Sequence, residues 1–338
     1  MIFVEKVLLS LLIFLFPTQL AYHFWPKFAY VFGLRVDYLS PKIYLTDLFI
    51  FLLLPFIVLR IRRYYRFKYL VAAIFLGIFI VLNIFTSANR PAALVGWLTL
   101  GKLSILGFYI FLCEFSGIKK RYIKLLSWSA IFFSLIGILQ SVLQRTTQSP
   151  LYYLGERSFT ADTPGIALVN LGGGLYLRAY STFSHPNSLA GFLVLALIII
   201  YGLNKKKANL KPFNYCLLVI VGTALILSFS TGAFIGITMV LTFYFLCRNL
   251  PHLSNIFLKT VFYLFLLLSL VMVFVPEGIA GQKYFQKEKY RQRISLIKTS
   301  AGLFAQHPTV GIGLNNFVVV AEEHQPVHNL FLLTKARF

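Results

Sequence analysis

Residues 69–86 read YLVAAIFLGIFIVLNIFT and contain no charged side chain. A bilayer core about 30 Å thick is crossed by about 20 apolar residues in a helix, and runs of this kind recur along the chain. We predict nine spans, at residues 7–24, 43–59, 69–86, 92–113, 125–143, 186–203, 213–229, 232–247 and 260–275, and a tenth that begins near residue 328. The predicted fold class is all-α. It is a polytopic transmembrane helix bundle of about nine to ten spans, forming a single integral membrane domain over residues 1–338.

The composition of the whole chain points the same way. Hydrophobic residues make up 58% of the 338 residues, charged residues make up 12%, and the mean hydropathy is +0.78. So few polar side chains cannot cover the surface of a soluble protein of this size. The sequence therefore predicts an integral membrane protein.

Clusters of basic residues set the orientation of the predicted spans, because positive residues collect in short cytoplasmic loops. Three clusters occupy alternate connections, namely Arg60 to Lys68, Lys119 to Lys124 and Lys205 to Lys211. Placing them in the cytoplasm also puts the N-terminus there. Residues 144–185 and 276–327 then form two long extracytoplasmic loops, which are long enough to carry a functional site.

The formal net charge is +22, and much of it serves membrane anchoring and attraction to anionic lipid headgroups. The two long outer loops nevertheless carry more basic than acidic side chains, which favours an anionic ligand at the outer face. Nucleic acid is not expected as a partner. The acidic side chains of these loops are scattered rather than grouped, with Glu322-Glu323 as the one exception, so no metal site is predicted. No cofactor is predicted either.

The last outer loop is predicted to contain an amphipathic helix. At helical spacing it has an apolar stripe of Tyr290, Ile294, Ile297, Ala301 and Phe304, with Arg291 and Lys298 on one border and Arg293 on the other. One interpretation is that these cations extend toward lipid phosphates. The other is that they clamp a diphosphate, because the planar guanidinium group matches phosphate oxygens in a bidentate way.

Several motifs follow this helix in the sequence. They are His307-Pro308, Gly311-Ile312-Gly313 and, at the entry to another apolar run, His328-Asn329. A histidine at the mouth of a helix can deprotonate an attacking hydroxyl near neutral pH, although a helix-capping histidine occurs in the same sequence context. We therefore place the candidate active site in residues 276–327 and at His328.

The other outer loop ends in RAYSTFSHPN, residues 178–187, and a predicted span follows directly. Pro186 suits the first turn of a helix, so His185 and Asn187 either start that helix or contact a substrate. Arg178 is isolated among apolar and small residues.

Lys102 is a cation in the middle of an apolar segment. An ionisable residue at that depth is costly and usually functional, although a shifted helix boundary lets a lysine reach the interface. The sequence offers no evident carboxylate partner for it.

Four short stretches resemble the bacterial O-antigen ligase and O-antigen polymerase family of membrane-embedded, lipid-linked glycan transferases. Residues 178–191 resemble its Arg-aromatic-x-x-Phe-x-His-Pro-Asn pattern, and residues 229–233 resemble its Ser-Arg-Gly/Ala turn. Residues 307–317 resemble its His-Pro-x-x-Gly-x-Gly loop, and residues 327–332 resemble its His-Asn-x-x-Leu helix entry.

The chain departs from the family pattern at two places. Thr231 stands where the family often has arginine, which removes one expected phosphate contact. The sequence ends at Phe338, whereas the family continues into further helices, so we expect the C-terminal helices of the family to be missing.

The resemblance implies a metal-independent glycosyltransferase, either a ligase or a polymerase, in the bacterial cytoplasmic membrane. Its donor would be a saccharide carried by undecaprenyl diphosphate, and its acceptor a hydroxyl of a glycan or lipid at the outer face, during surface polysaccharide or lipopolysaccharide assembly. The predicted roles are catalysis by His328 and Arg291, diphosphate binding by Arg293, Arg178 and Lys298, and substrate contacts by His185, Asn187, Asn329 and Lys102.

Two other classes of function stay open. A transporter would use Lys102 and a broken helix near residues 228–232 as a central site, and its two halves would contain matching interrupted helices. The sequence shows no such correspondence. A non-catalytic member of a glycan assembly complex is the other alternative.

Overall fold

The computed structural model describes residues 3–31, 33–37, 39–63, 67–112, 119–203, 212–249 and 283–320. Most of these residues are helical. The α-helices are α1 Phe3–Leu15, α2 Leu45–Arg63, α3 Phe67–Thr86, α4 Arg90–Leu112, α5 Lys119–Leu143, α6 Pro186–Leu203, α7 Pro212–Leu227, α8 Thr231–Asn249, α9 Lys283–Gln306 and α10 Phe317–Val320. Short 3-10 helices cover Lys27–Ala29 and Pro150–Leu154.

The described strands form three two-stranded antiparallel sheets. Their bounds are β1 Ala21–His23, β2 Tyr30–Val31, β3 Leu34–Arg35, β4 Lys42–Tyr44, β5 Leu168–Leu171 and β6 Gly174–Leu177. The pairs are β1 with β4, β2 with β3, and β5 with β6. These small sheets accompany a structure that is mainly helical, which agrees with the predicted all-α class.

Two described helices are long and apolar enough to cross a membrane, over Arg90–Ile110 and Arg121–Leu143. Shorter apolar helices cover Leu45–Leu59, Val71–Thr86, Pro186–Ile200, Tyr215–Leu227 and Thr231–Val240. These positions coincide with predicted spans. The predicted spans at residues 260–275 and from residue 328 lie outside the described residues, so the number of spans stays a prediction.

The first predicted span was wrong at its C-terminal end. We predicted an apolar helix over residues 7–24, but α1 ends at Leu15 and residues 21–23 form strand β1. Proline disfavours helical backbone in the residue before it, and Pro17 therefore ends the helix near Phe16. Strand β1 then pairs with β4 in the register Ala21↔Tyr44, so the chain leaves the helix earlier than its hydrophobicity indicates.

The described residues group into two compact units, and the first consists of Met1–Leu12, Ala21–Gly117 and Gln292–Phe338. In this unit α4 packs against both α2 and α3. A small apolar core collects beside the start of α4, where Ala29, Leu39 and Ala92 are completely buried. The Tyr109 hydroxyl donates a 2.7 Å hydrogen bond to Oε1 of the buried Glu5, which satisfies that carboxyl group inside the unit.

The second unit consists of Ile13–Leu20 and Ile118–Arg291. Helix α5 is its centre and packs against α6 and α7, while α6 also packs against α8. The core between these helices includes the completely buried residues Ala130, Leu189, Leu193, Val221 and Ala224. The first segment joins this unit through polar contacts, because Ser129 Oγ donates to Phe14 O at 2.8 Å and Thr182 Oγ1 donates to Pro17 O at 2.8 Å.

Candidate functional site

The segment predicted as the first of the two long outer loops, residues 144–185, is described in full by the structure. It begins with a bridge between Arg145 and Thr160 and contains the Pro150–Leu154 3-10 helix and the β5–β6 hairpin. Within this segment Phe159, Leu177 and Tyr180 form a small buried apolar cluster. Because Leu177 and Tyr180 flank Arg178 in the sequence, this cluster holds the backbone around Arg178 in place.

Arg178 connects the start of α6 with the turn between α7 and α8. Its Nε donates to Ser228 O at 2.7 Å, and its Nη2 donates to Phe229 O at 3.1 Å and to Asn187 Oδ1 at 2.7 Å. The side chain is half-buried. Because guanidinium donors have a fixed planar arrangement, these three acceptors define the position and orientation of the group.

The α7–α8 turn needs such a partner. Helix α7 ends at Leu227, and Phe229 has a left-handed φ of 45°. The last carbonyls of a helix have no partners within the helix and carry partial negative charge. Here Ala179 N donates to Leu227 O at 3.0 Å, and Arg178 satisfies the next two carbonyls.

His185 occupies the capping position of α6, which begins at Pro186. The Asn187 backbone N–H donates to His185 Nδ1 at 3.1 Å, so that nitrogen is unprotonated and the proton of the neutral ring lies on Nε2. Burial, and secondarily the charge of Arg178, lower the pKa of His185 below its usual value of 6.5. The helix-start interpretation of His185 therefore fits the geometry, while its contact with a substrate stays a prediction.

Tyr180 is a neighbour that the sequence interpretation did not select. Its hydroxyl accepts a 2.5 Å hydrogen bond from the Ala167 N–H, and its ring centroid lies 6.3 Å from that of His185. Burial raises the pKa of Tyr180, against the opposing effects of that hydrogen bond and of Arg178 and Arg157. Tyr180 is therefore a neutral phenol. Its hydroxyl contacts the residue just before strand β5, and its ring lies beside the residue just before α6.

The N-termini of α6 and α8 are both close to Arg178. Asn187 lies in the first turn of α6, and the Ser228–Phe229 turn immediately precedes α8, whose Ala233 N–H approaches Ser230 Oγ at 3.4 Å. Helix N-termini carry partial positive charge, although at these two ends the Asn187 N–H already donates to His185 Nδ1 and the Ala233 N–H lies beside Ser230 Oγ. Two such ends and a guanidinium group together make this region electrostatically favourable for an anionic group.

A second group of predicted residues lies in the first unit, in the segment 307–316. Asn83 holds this segment, because its Nδ2 donates to Val310 O at 2.7 Å and its Oδ1 accepts from Leu314 N at 3.0 Å. Trp97 Nε1 donates to the same Oδ1 at 2.7 Å and fixes the orientation of the amide. The predicted Gly311-Ile312-Gly313 turn is thus attached to α3.

Asn316 makes the second attachment and is completely buried. Its Oδ1 accepts from Asn89 N at 2.6 Å, and its Nδ2 donates to Asn89 O at 3.2 Å and to Leu314 O at 3.0 Å. Gly313 has a φ of 96°, and a Cβ there would overlap Ser87 Cβ and approach Asn316 Nδ2 to 2.9 Å. The α3–α4 turn and segment 307–316 therefore form one tightly fitted element.

Lys102 has a carboxylate partner. Its Nζ lies 2.7 Å from Asp47 Oδ2, and the side chains of the two residues are 24% and 16% exposed. The structure thus joins α4 to the first turn of α2. This pairing accounts for the lysine structurally, and its predicted contact with a substrate stays a prediction.

A helix is present where the amphipathic helix is predicted, namely α9, which contains Arg291, Arg293 and Lys298. Lys298 is exposed, and in the predicted apolar stripe Ile297 and Phe304 are 42% and 69% exposed. Such exposure suits a helix face that meets lipid. The side chains of Arg291 and Arg293, and the residues His328 and Asn329, lie outside the part of the chain that the structure describes.

Residues 216–337 match the family model whose description is O-antigen ligase. Over these residues the match confirms the family resemblance, and it includes both the α7–α8 turn and segment 307–316. No curated protein and no solved structure matches the chain.

Proposed function

We propose, on the premise that residues 216–337 belong to the O-antigen ligase family, that this membrane protein transfers a saccharide from undecaprenyl diphosphate to an acceptor hydroxyl. The transfer takes place at the outer face of the bacterial cytoplasmic membrane. The family match supports a role in glycan assembly. Our proposal goes beyond this role in naming the donor, the acceptor and the side of the membrane.

The position of Arg178 is the observation that carries the proposal. In the reaction, the acceptor oxygen forms a bond to the anomeric carbon, and the bond from that carbon to the diphosphate oxygen breaks. Negative charge grows on the departing lipid diphosphate. Fixed positive groups that are already oriented stabilise such charge strongly. Arg178, fixed by three hydrogen bonds beside the N-termini of α6 and α8, meets this requirement.

The remaining roles follow from the sequence motifs. His328 accepts the proton of the attacking hydroxyl, and Arg291 assists the departure of the diphosphate. Arg293 and Lys298 add positive charge for the same group, and Asn329, His185 and Asn187 contact the substrate. The chemistry needs general base catalysis and charge stabilisation, both of which protein side chains supply.

Transfer by full-length protein in proteoliposomes tests the proposal. The donor is a defined saccharide on undecaprenyl diphosphate, the acceptors are lipid A core and a second lipid-linked repeat unit, and the products are identified by mass. We expect a new glycosidic bond and release of undecaprenyl diphosphate. Extension of the repeat unit indicates a polymerase, and modification of lipid A core indicates a ligase.

Three results would contradict the proposal. Movement of the donor across the bilayer without a new covalent bond would indicate a transporter. Transfer at the wild-type rate by His328→Ala or Arg291→Ala would remove those assignments. Transfer at the wild-type rate by Arg178→Ala would remove the observation on which the proposal rests.

A further inference from the structure

A buried polar network holds the segment between Arg178 and His185. Gln140, on α5, is completely buried, and its side-chain amide pairs with the backbone of Ser181. Its Oε1 accepts from Ser181 N at 2.7 Å, and its Nε2 donates to Ser181 O at 3.0 Å. One side chain thus satisfies both backbone polar groups of a buried residue.

Glu156 fixes the orientation of this amide. Gln140 Nε2 also donates to Glu156 Oε1 at 2.8 Å, and an ionised carboxylate can only accept hydrogen bonds. Glu156 is only 4% exposed and is held by Thr147, whose N–H donates to Oε1 at 2.8 Å and whose Oγ1 donates to Oε2 at 2.5 Å. Reversal of the Gln140 amide would direct its oxygen at the carboxylate, so the network accepts one orientation.

The backbone at Ser181 requires such support. Ser181 has a φ of 57°, a left-handed conformation that residues other than glycine rarely adopt. Among the described residues, its buried Oγ has no hydrogen-bond partner that could offset the strain. The conformation persists because surrounding groups determine it. The amide of Gln140 hydrogen-bonds both polar groups of the Ser181 backbone.

We infer that Gln140 and Glu156 are positioning residues for Arg178 and His185, an inference that rests on the proposed function. Ser181 lies three residues after Arg178 and four before His185, and its left-handed turn reverses the chain between them. The Gln140 clamp therefore determines where the guanidinium group lies and where α6 begins. Misplacement of a catalytic geometry by about 1 Å can cost about a hundredfold in rate, so such a support affects turnover.

Four variants of the full-length protein in lipid nanodiscs test the inference. They are Gln140→Ala, Glu156→Ala, Glu156→Gln and the control Ser134→Ala. Ser134 is also a buried polar residue of α5, but its Oγ has no partner in the described part of the chain. The measurements are amide hydrogen exchange in residues 178–187, and kcat and KM for the undecaprenyl-diphosphate-linked donor.

We expect Gln140→Ala and Glu156→Ala to increase exchange in residues 178–187 by about tenfold or more. We expect kcat to fall by about tenfold or more while KM changes by less than about threefold. Glu156→Gln should stay near wild type, because its amide oxygen still accepts from Gln140 and Thr147 while its new N–H group faces Thr147 Oγ1. Ser134→Ala should also stay near wild type.

Two outcomes would overturn the inference. One is unchanged exchange and kcat in Gln140→Ala. The other is a loss in Glu156→Gln equal to that in Glu156→Ala, because the negative charge rather than the hydrogen-bond pattern would then matter. If Gln140→Ala does not fold, the two Glu156 variants decide. If the wild type transfers no saccharide, the proposed function fails, and the exchange measurements still decide whether Gln140 and Glu156 fix the turn.

Discussion

Lys102 Nζ lies 2.7 Å from Asp47 Oδ2, and it also lies 5.5 Å from the centroid of the Tyr44 ring. The same Asp47 oxygen accepts a 3.0 Å hydrogen bond from the Tyr44 backbone N–H. A cation that is isolated in the sequence is therefore part of a polar cluster at the start of α2. The cluster connects α2 and α4 inside one compact unit.

If the ion pair between Lys102 and Asp47 stabilises the fold, removing one partner should destabilise the protein more than removing both. Lys102→Met should destabilise the protein by about 1–3 kcal/mol, between the values for surface and buried pairs, because it leaves a largely buried carboxylate without its positively charged partner. Lys102→Met/Asp47→Asn should recover part of that loss. Thermal unfolding in detergent measures both effects.

The control for this experiment is Lys298→Met, at an exposed position of α9, which should change stability by less than about 0.5 kcal/mol. The pair has no structural role if Lys102→Met unfolds like the wild type. If the double variant is stable but inactive in transfer, the predicted substrate contact of Lys102 gains support instead.

The Lys102 pair also shows what the sequence could reveal. Hydrophobic runs and proline positions indicate helices, so most of the described helices were predicted close to their observed bounds. The Asp47 partner is 55 residues from Lys102, and the amide bonds of Asn83 reach across 227 and 231 residues. Partners at such separations depend on tertiary packing, which local patterns do not encode.

Around Arg178, too, local sequence patterns identified single residues but not their distant partners. The sequence selected Arg178, His185 and Asn187 because a charged or polar residue beside a helix start is conspicuous. It did not select Gln140, since a glutamine in a helix usually has no special role. Its importance comes from meeting the strained Ser181 backbone, a contact over 41 residues.

Arg178→Lys tests whether geometry or charge matters at the proposed diphosphate site. Lysine keeps the positive charge, but its single ammonium group cannot reproduce the planar contacts with Ser228, Phe229 and Asn187. We expect kcat/KM for the lipid-linked donor to fall by about a hundredfold, nearly as much as in Arg178→Ala. Steady-state transfer in proteoliposomes measures the change.

Arg157→Lys is the matched control, because Arg157 is an exposed arginine of the same segment. Its activity should remain within about twofold of wild type, as expected for a surface substitution. Recovery of most activity by Arg178→Lys would mean that positive charge alone suffices there.

His185 predicts a dependence of stability on pH. Its pKa is lower in the folded protein than its usual value of 6.5, because of burial and then the charge of Arg178. The unfolded chain therefore binds the proton more readily, and stability is lost as the pH falls below about 6.5. Protonation of Nδ1 also removes the acceptor of the Asn187 N–H. Unfolding temperatures measured between about pH 7.5 and pH 5 should show the decline.

His185→Asn provides the comparison for the pH experiment. Asparagine can cap a helix but does not titrate, so the variant should lose less stability than the wild type over the same pH range. Arg178 and the Tyr180 ring face His185, so buffers of equal ionic strength should be used. Parallel pH profiles in the two proteins would exclude His185 as the titrating group.

Gly313→Ala tests the fit between segment 307–316 and the α3–α4 turn. The new Cβ would overlap Ser87 Cβ and would also impose a left-handed φ of 96° on alanine. Gly311→Ala is the matched control, since Gly311 has a φ of 74° but nothing within 4 Å of the added atom. Gly311→Ala should lower the free energy of unfolding by about 1–2 kcal/mol from backbone strain alone, and Gly313→Ala should lower it by about 1–3 kcal/mol more from overlap.

A double variant checks the cause of the overlap. Because Ser87→Gly removes the overlapping Cβ, Gly313→Ala/Ser87→Gly should recover part of the difference in the free energy of unfolding. Equal unfolding temperatures for Gly313→Ala and Gly311→Ala would show that the segment does not pack against Ser87.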